Sequence, residues 1–189
     1  MADSGIDQCR PQALRRTLQI AVVIASVLEF AAFVQITLPV TPPERLHASG
    51  LDNKNEVFAD SVGWEEVEQQ VARIYSDVPA PERESTIIIS AYYGVPGAVA
   101  IYDNRKLLPD VVSPQLSDYY WLPQNLTATH ALMVDYLPSD VAWMCTSPRL
   151  VTHLTVPFDV KGLEQGAPVT FCELDGTIQE FWPRLRNFS

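Results

Sequence analysis

Apolar positions along this chain fall into one long block followed by several short ones. Residues 17–38, TLQIAVVIASVLEFAAFVQITL, carry a single ionisable side chain, Glu29. The block has about the ~20 residues that a helix needs to cross ~30 Å of hydrocarbon. Arg10, Arg15 and Arg16 precede it, and Pro39, Pro42 and Pro43 follow it, so the helix has a basic flank before it and a hard stop after it. The basic flank stays on the cytoplasmic side. This predicts a cytoplasmic segment 1–16, a transmembrane helix 17–38, a Pro-rich linker 39–57 and an extracytoplasmic domain 58–189. A cleaved signal peptide would lack a clear A-x-A site after its apolar core. A buried helix would need a larger core than the remaining chain offers. The last helix of a longer polytopic protein is the third reading. Glu29, costly in lipid when charged, is expected to be protonated or to face protein.

Beyond the linker, Trp64, Val67, Val71 and Ile74 recur at helical spacing up to Pro79, which predicts an amphipathic helix. The run Thr86, Ile87, Ile88, Ile89, Ser90 reads as a buried strand ending at Tyr92, Tyr93 and Gly94. Residues 94–102 suit a helix packed close to a sheet, with Pro96 in its first turn. Further strands are expected over 107–112, 128–136, 150–156 and 169–172, with a short helix over 138–144. Strand, glycine turn and helix in that order predict an α/β fold, a small three-layer, Rossmann-like domain with a mostly parallel sheet.

Composition narrows the function classes. With 13 Lys+Arg against 23 Asp+Glu the net charge is -10, a surface that repels phosphate backbones, so nucleic acid is not an expected partner. The sequence carries no dinucleotide or phosphate-loop motif, no nucleophile elbow, no H-E-x-x-H and no C-x-x-C. No catalytic residue, cofactor or metal site is therefore assigned. His47, His130 and His153 lie far apart in sequence, without a second ligand at metal spacing. Cys145 and Cys172 fall in the exported region, where either a disulfide or two separate thiols is permitted, while Cys9 lies on the reducing side.

The residues best placed to bind a ligand are Tyr92 and Tyr93 after the first strand, with Asp118, Tyr119 and Trp121. Ligands of open α/β sheets sit at the carboxyl ends of the strands, and aromatic faces beside a carboxylate suit a sugar ring. The same aromatics also suit the packing of a long loop over the sheet edge. Asn125, Leu126 and Thr127 match a glycosylation sequon, which matters only on a eukaryotic secretory route.

Taken in order, Asp60-Ser61-Val62-Gly63-Trp64, Tyr93-Gly94-Val95-Pro96-Gly97-Ala98, Tyr120-Trp121, Leu163-Glu164-Gln165-Gly166-Ala167-Pro168-Val169 with Phe171-Cys172, and Phe181-Trp182-Pro183-Arg184-Leu185-Arg186 resemble the C-terminal extracytoplasmic domain of bacterial glycosyltransferase family 39 proteins. That family is related to the protein O-mannosyltransferases and the aminoarabinose lipid A transferases. The resemblance implies a polytopic enzyme that moves a sugar from a polyprenyl-phosphate donor, with catalytic acids in its first external loop. On that basis the chain is expected to lack the catalytic half and to act as an accessory domain, with the lipid bilayer and a polytopic transferase subunit or a saccharide as partners. The alternative is a stand-alone membrane-anchored saccharide- or envelope-binding module. Where family members tend to carry Asn-Tyr-Gly-Glu-Ala, this chain has Tyr92-Tyr93-Gly94-Val95-Pro96. Where they often show Gly-His-Asn, it has Gln115-Leu116-Ser117-Asp118.

Overall fold

The computed structural model describes residues 9–188, and the chain divides into two compact units, Met1–Pro42 and Pro43–Ser189. The first is built on helix α1 (Cys9–Thr37). Within it, Leu14–Thr37 is long and apolar enough to cross a membrane. At 1.5 Å per residue, those residues rise about 36 Å. Their large apolar side chains from Leu14 to Phe33 are exposed among the described residues.

The second unit opens with α2 (Pro43–Ser49), inside the segment 39–57 that the sequence presents as linker, and α3 (Glu56–Ala59), which straddles its end. Leu46, Leu51 and Asp52 are buried there. The Asp52 carboxylate lies 2.8 Å from His47 Nδ1 and accepts the Lys161 N–H at 3.3 Å, which ties this segment to a loop more than a hundred residues away. Burial works to raise the Asp52 carboxyl, but the bonds from His47 and Lys161 outweigh it and hold the group below the ordinary carboxylate value.

Next come α4 (Trp64–Ser76), α5 (Ala80–Arg83), β1 (Thr86–Ser90), α6 (Gly94–Tyr102), β2 (Val111–Val112), β3 (His130–Val134), α7 (Pro138–Val141), β4 (Cys145–His153), β5 (Pro168–Leu174) and α8 (Ile178–Leu185). The sheet order is β2-β1-β3-β5-β4. Strand β1 pairs in parallel with both β2 and β3, whereas β5 runs antiparallel to both β3 and β4. The expected mostly parallel, Rossmann-like sheet is thus corrected to a mixed one. The connections differ accordingly: a helical crossover returns the chain parallel between β1 and β2, whereas the segment between β4 and β5 carries only the Pro157–Asp159 3-10 turn and brings β5 back antiparallel beside β4.

One face of the sheet packs Ile87, Ile89, Ala131, Met133 and Cys172 against Val141 of α7, Met144, and Ile178 and Trp182 of α8. Because successive strand residues point to opposite faces, Ile88, Leu132 and Val134 face the other way. They are fully buried as well. Helices α4 and α6 pack on each other with Val67, Val71, Val95 and Ala98 buried.

Strand β4 lies at the sheet edge and is mostly exposed. Its pairing with β5 shifts register between Thr146 and Arg149 and again between Leu150 and Thr152, irregularities that blunt an open edge. A Cys145–Cys172 disulfide fastens it to β5, with Cα atoms 5.6 Å apart and a sequence separation of 27. Closing a loop of that length is worth about 3.5 kcal/mol on the chain-entropy account.

Gly94 begins α6 directly under the Trp64 ring, and a Cβ there would fall 2.1 Å from the ring's Cη2. The indole cannot easily move, because its Nε1–H donates to the Asp60 carbonyl. Gly94→Ala is therefore expected to destabilise the protein by about 1–3 kcal/mol through overpacking. A thermal melt checks this, and an unchanged midpoint would mean that the ring yields without cost.

Candidate functional site

Strands β1 and β3 end side by side, and β5, running the other way, begins there. Ser90 pairs with Val134, and Val134 with Val169. The turn after β1, the turn after β3 and the loop before β5 consequently share one edge of the sheet. Asp135 follows β3 with φ 62, a left-handed conformation that aspartate tolerates better than most residues. Its N–H donates to the Pro168 carbonyl at 2.7 Å.

Glu164 lies in the loop before β5 and is only 3% exposed. Neither of its carboxyl oxygens has a hydrogen-bond partner. Burial, then the charges of Asp135 and Asp60, push its pKa up to about 7. Asp135 is raised too, by burial and by Asp140, and burial with the Asp135, Tyr92 and Asp140 charges raises the Tyr136 phenol. A carboxyl poised at that value is able to donate a proton or a hydrogen bond near neutrality. Only its position before a strand hinted at this in the sequence, and a glutamate between exposed Leu163 and half-buried Gln165 gives no burial signal.

Of the residues singled out from sequence, Tyr92 and Tyr93 do follow β1 at this edge. Tyr92 is half-buried and Tyr93 exposed, and the Tyr93 N–H donates to Gln115 Oε1 at 3.1 Å. Asp118, Tyr119 and Trp121 form, with Tyr120, a single 3-10 turn. Tyr119 stacks on Trp182, with centroids 5.8 Å apart, and its carbonyl accepts the Trp182 Nε1–H at 2.8 Å. It is therefore occupied in packing the loop onto α8.

Trp121 and Tyr120, by contrast, are 73% and 68% exposed. Sequence reasoning passed over what lies beside Tyr120: the segment after α8 runs back to this edge. The Asn187 N–H donates to the Pro114 carbonyl, and the Leu116 N–H to the Asn187 carbonyl. The Arg186 guanidinium lies 4.7 Å from the Tyr119 ring centroid, 5.4 Å from that of Tyr120 and 4.3 Å from that of Phe188, and it donates to the Tyr120 hydroxyl.

The histidines go elsewhere. His47 meets Asp52, and His153 ends β4 beside a groove of about 530 Å³ lined by Gln70, Arg73, Asp77 and Thr152. His130 opens β3, with Nδ1 3.0 Å from Ser85 Oγ. That serine's own proton is committed to the Glu82 carbonyl at 3.0 Å, so the pair buttresses the start of the sheet and does not prime a nucleophile. Among the described residues, no group of three or more His, Cys, Asp or Glu is arranged to hold a metal ion.

Comparison with known proteins finds no family model, no curated protein and no solved structure that matches this chain.

Because the folded-state pKa of Glu164 lies above its ordinary value of 4.5, the stability gained by keeping its proton is full below about pH 4.5 and is lost as pH rises to about 7. Glu164→Gln keeps the shape without the charge. The variant's melting temperature is expected to rise relative to that of the unaltered protein between those pH values, by several degrees, which is on the order of a few kcal/mol. A constant difference across the window would show that Glu164 does not carry the proton.

Proposed function

We propose that this protein is held in a membrane by α1 and presents its folded unit on the non-cytoplasmic side. There it serves as an accessory domain of a family-39-like, polyprenyl-phosphate-sugar-dependent glycosyltransferase. The observation that carries the orientation is the Cys145–Cys172 disulfide, since such bonds persist in oxidising compartments. It lies after the apolar helix, and Arg15 and Arg16 lie before it, which gives the same orientation by the positive-inside rule.

The transferase association rests on the ordered resemblance of the short motifs, and three of them take part in tight local packing, through Gly94 under Trp64 and Trp182 on Tyr119. The reading assigns no catalytic group to this chain. Its role is contact with a membrane-embedded transferase subunit or with the transferred material.

A second reading, a stand-alone module that binds a saccharide or envelope component, is favoured by the exposure of Tyr93 and Trp121. Exposed aromatic rings next to hydrogen-bonding groups are what a sugar stacks upon.

Alkaline phosphatase fused after Pro42 is expected to be active, and a reporter active only in the cytoplasm would overturn the orientation. Affinity capture of the detergent-solubilised full chain is expected to retain a polytopic sugar transferase. Recovery of the chain alone, with oligosaccharide binding that is lost in Trp121→Ala, would establish the second reading instead.

A further inference from the structure

The exposed aromatic residues and the start of the folded unit lie along the same edge of the sheet. Tyr93 follows β1 there, and Leu116 is bonded to Asn187 beside it. Tyr120, Trp121 and Phe188 are all more than 60% exposed; the rings of Tyr120 and Phe188 lie beside the Arg186 guanidinium, and Trp121 follows Tyr120 in the same 3-10 turn. Helix α2 packs against the Pro157–Asp159 turn, and Asp52 holds the Lys161 N–H, both in the loop that enters β5 at this edge. Between Thr37, which ends α1, and Pro43, which begins α2, only residues 38–42 intervene, and five residues reach about 18 Å at most.

From this the geometry points to a docking surface for phospholipid: Tyr120, Trp121, Phe188 and Leu116 seat in the headgroup layer of the bilayer, with Arg186 meeting lipid phosphate. The inference rests on the anchored reading of α1. Tryptophan and tyrosine concentrate where one end of a side chain is apolar and the other wet, and arginine binds phosphate with its planar fork. The chemistry is distinctive on a chain of net charge -10, most of whose surface would be pushed away from anionic lipid. The tether is short enough to keep the patch within reach of a bilayer. Peripheral binding by so few side chains would be weak on its own, but tethering raises the effective concentration of the surface and removes the need for high intrinsic affinity.

The test uses the full chain reconstituted in phosphatidylcholine vesicles containing a minority of phosphatidylglycerol, with some acyl chains brominated near the headgroup. Tryptophan emission reports on the folded unit alone, because all the tryptophans, Trp64, Trp121, Trp143 and Trp182, lie in it. Docking predicts that brominated lipid quenches part of this emission and that the quenched part disappears in Trp121→Phe, with Arg186→Gln reducing it. Equal quenching in the parent and Trp121→Phe, or none in either, overturns the docking. So does an emission change of Trp121 that follows added oligosaccharide and not lipid.

Resistance of the chain to alkaline carbonate extraction is measured on the same vesicles. Extraction into the supernatant overturns the anchored reading and the docking with it, whereas retention without Trp121 quenching overturns the docking alone.

Discussion

Strand β5 pairs on both sides at once, with β3 through Val169–Glu173 and with β4 through Pro168–Leu174. Its direction decides what meets at the edge where β1 and β3 finish. Had it run parallel to them, its leading loop would have opened at the opposite end of the sheet. Because it runs against them, that loop brings Glu164 into the field of Asp135 and Asp60 and delivers Lys161 to Asp52. Thr170 Oγ1, near the start of β5, donates to the Tyr136 carbonyl at 2.6 Å, which fastens the turn after β3 to the same construction.

The edge so built has two characters. Around β5 and β3 it is acidic and closed, with an unpartnered carboxyl under cover. Around β2 and the segment after α8 it is aromatic and open, organised by one guanidinium over several rings. The first character costs stability, since desolvating a carboxyl without a partner is unfavourable, and the proton that Glu164 retains limits that cost. The second leaves apolar surface in water, which folded domains tolerate only in small patches or where something covers it.

How much of this the sequence carried depends on range. Helix α4 was legible because Val67 and Val71 recur at helical spacing, and β1 and β3 because short β-branched or apolar runs end in turn residues. Helix α8 was hidden by Pro183 inside it. Its capping arrangement of Thr177 and Glu180, in which the glutamate accepts the Thr177 N–H at 3.0 Å, was the signal that would have located it. The direction of β5 had no local signature, because pairing is settled by which neighbours remain open once the connections are made. Tyr92, Tyr93, Asp118, Tyr119 and Trp121 were found as aromatic and acidic clusters, but burial separates packed Tyr119 from exposed Trp121. The bond between Asp52 and Lys161 spans too much chain for any spacing argument to reveal.

The interposed position of β5 also bears on biogenesis. Among the described residues, strand β4 has its only sheet partner in β5, which follows it in the chain, so during synthesis that pairing waits for β5, which begins at Pro168, some fifteen residues after β4 ends, on a chain growing at about 5–20 residues per second. During that interval Cys145 is without Cys172, to which the fold joins it, and its thiol is open to exchange with a foreign disulfide. Its correct partner, Cys172, arrives on the very strand that completes the sheet, so oxidation of the right pair and closure of the sheet become a single late event in the life of the nascent chain.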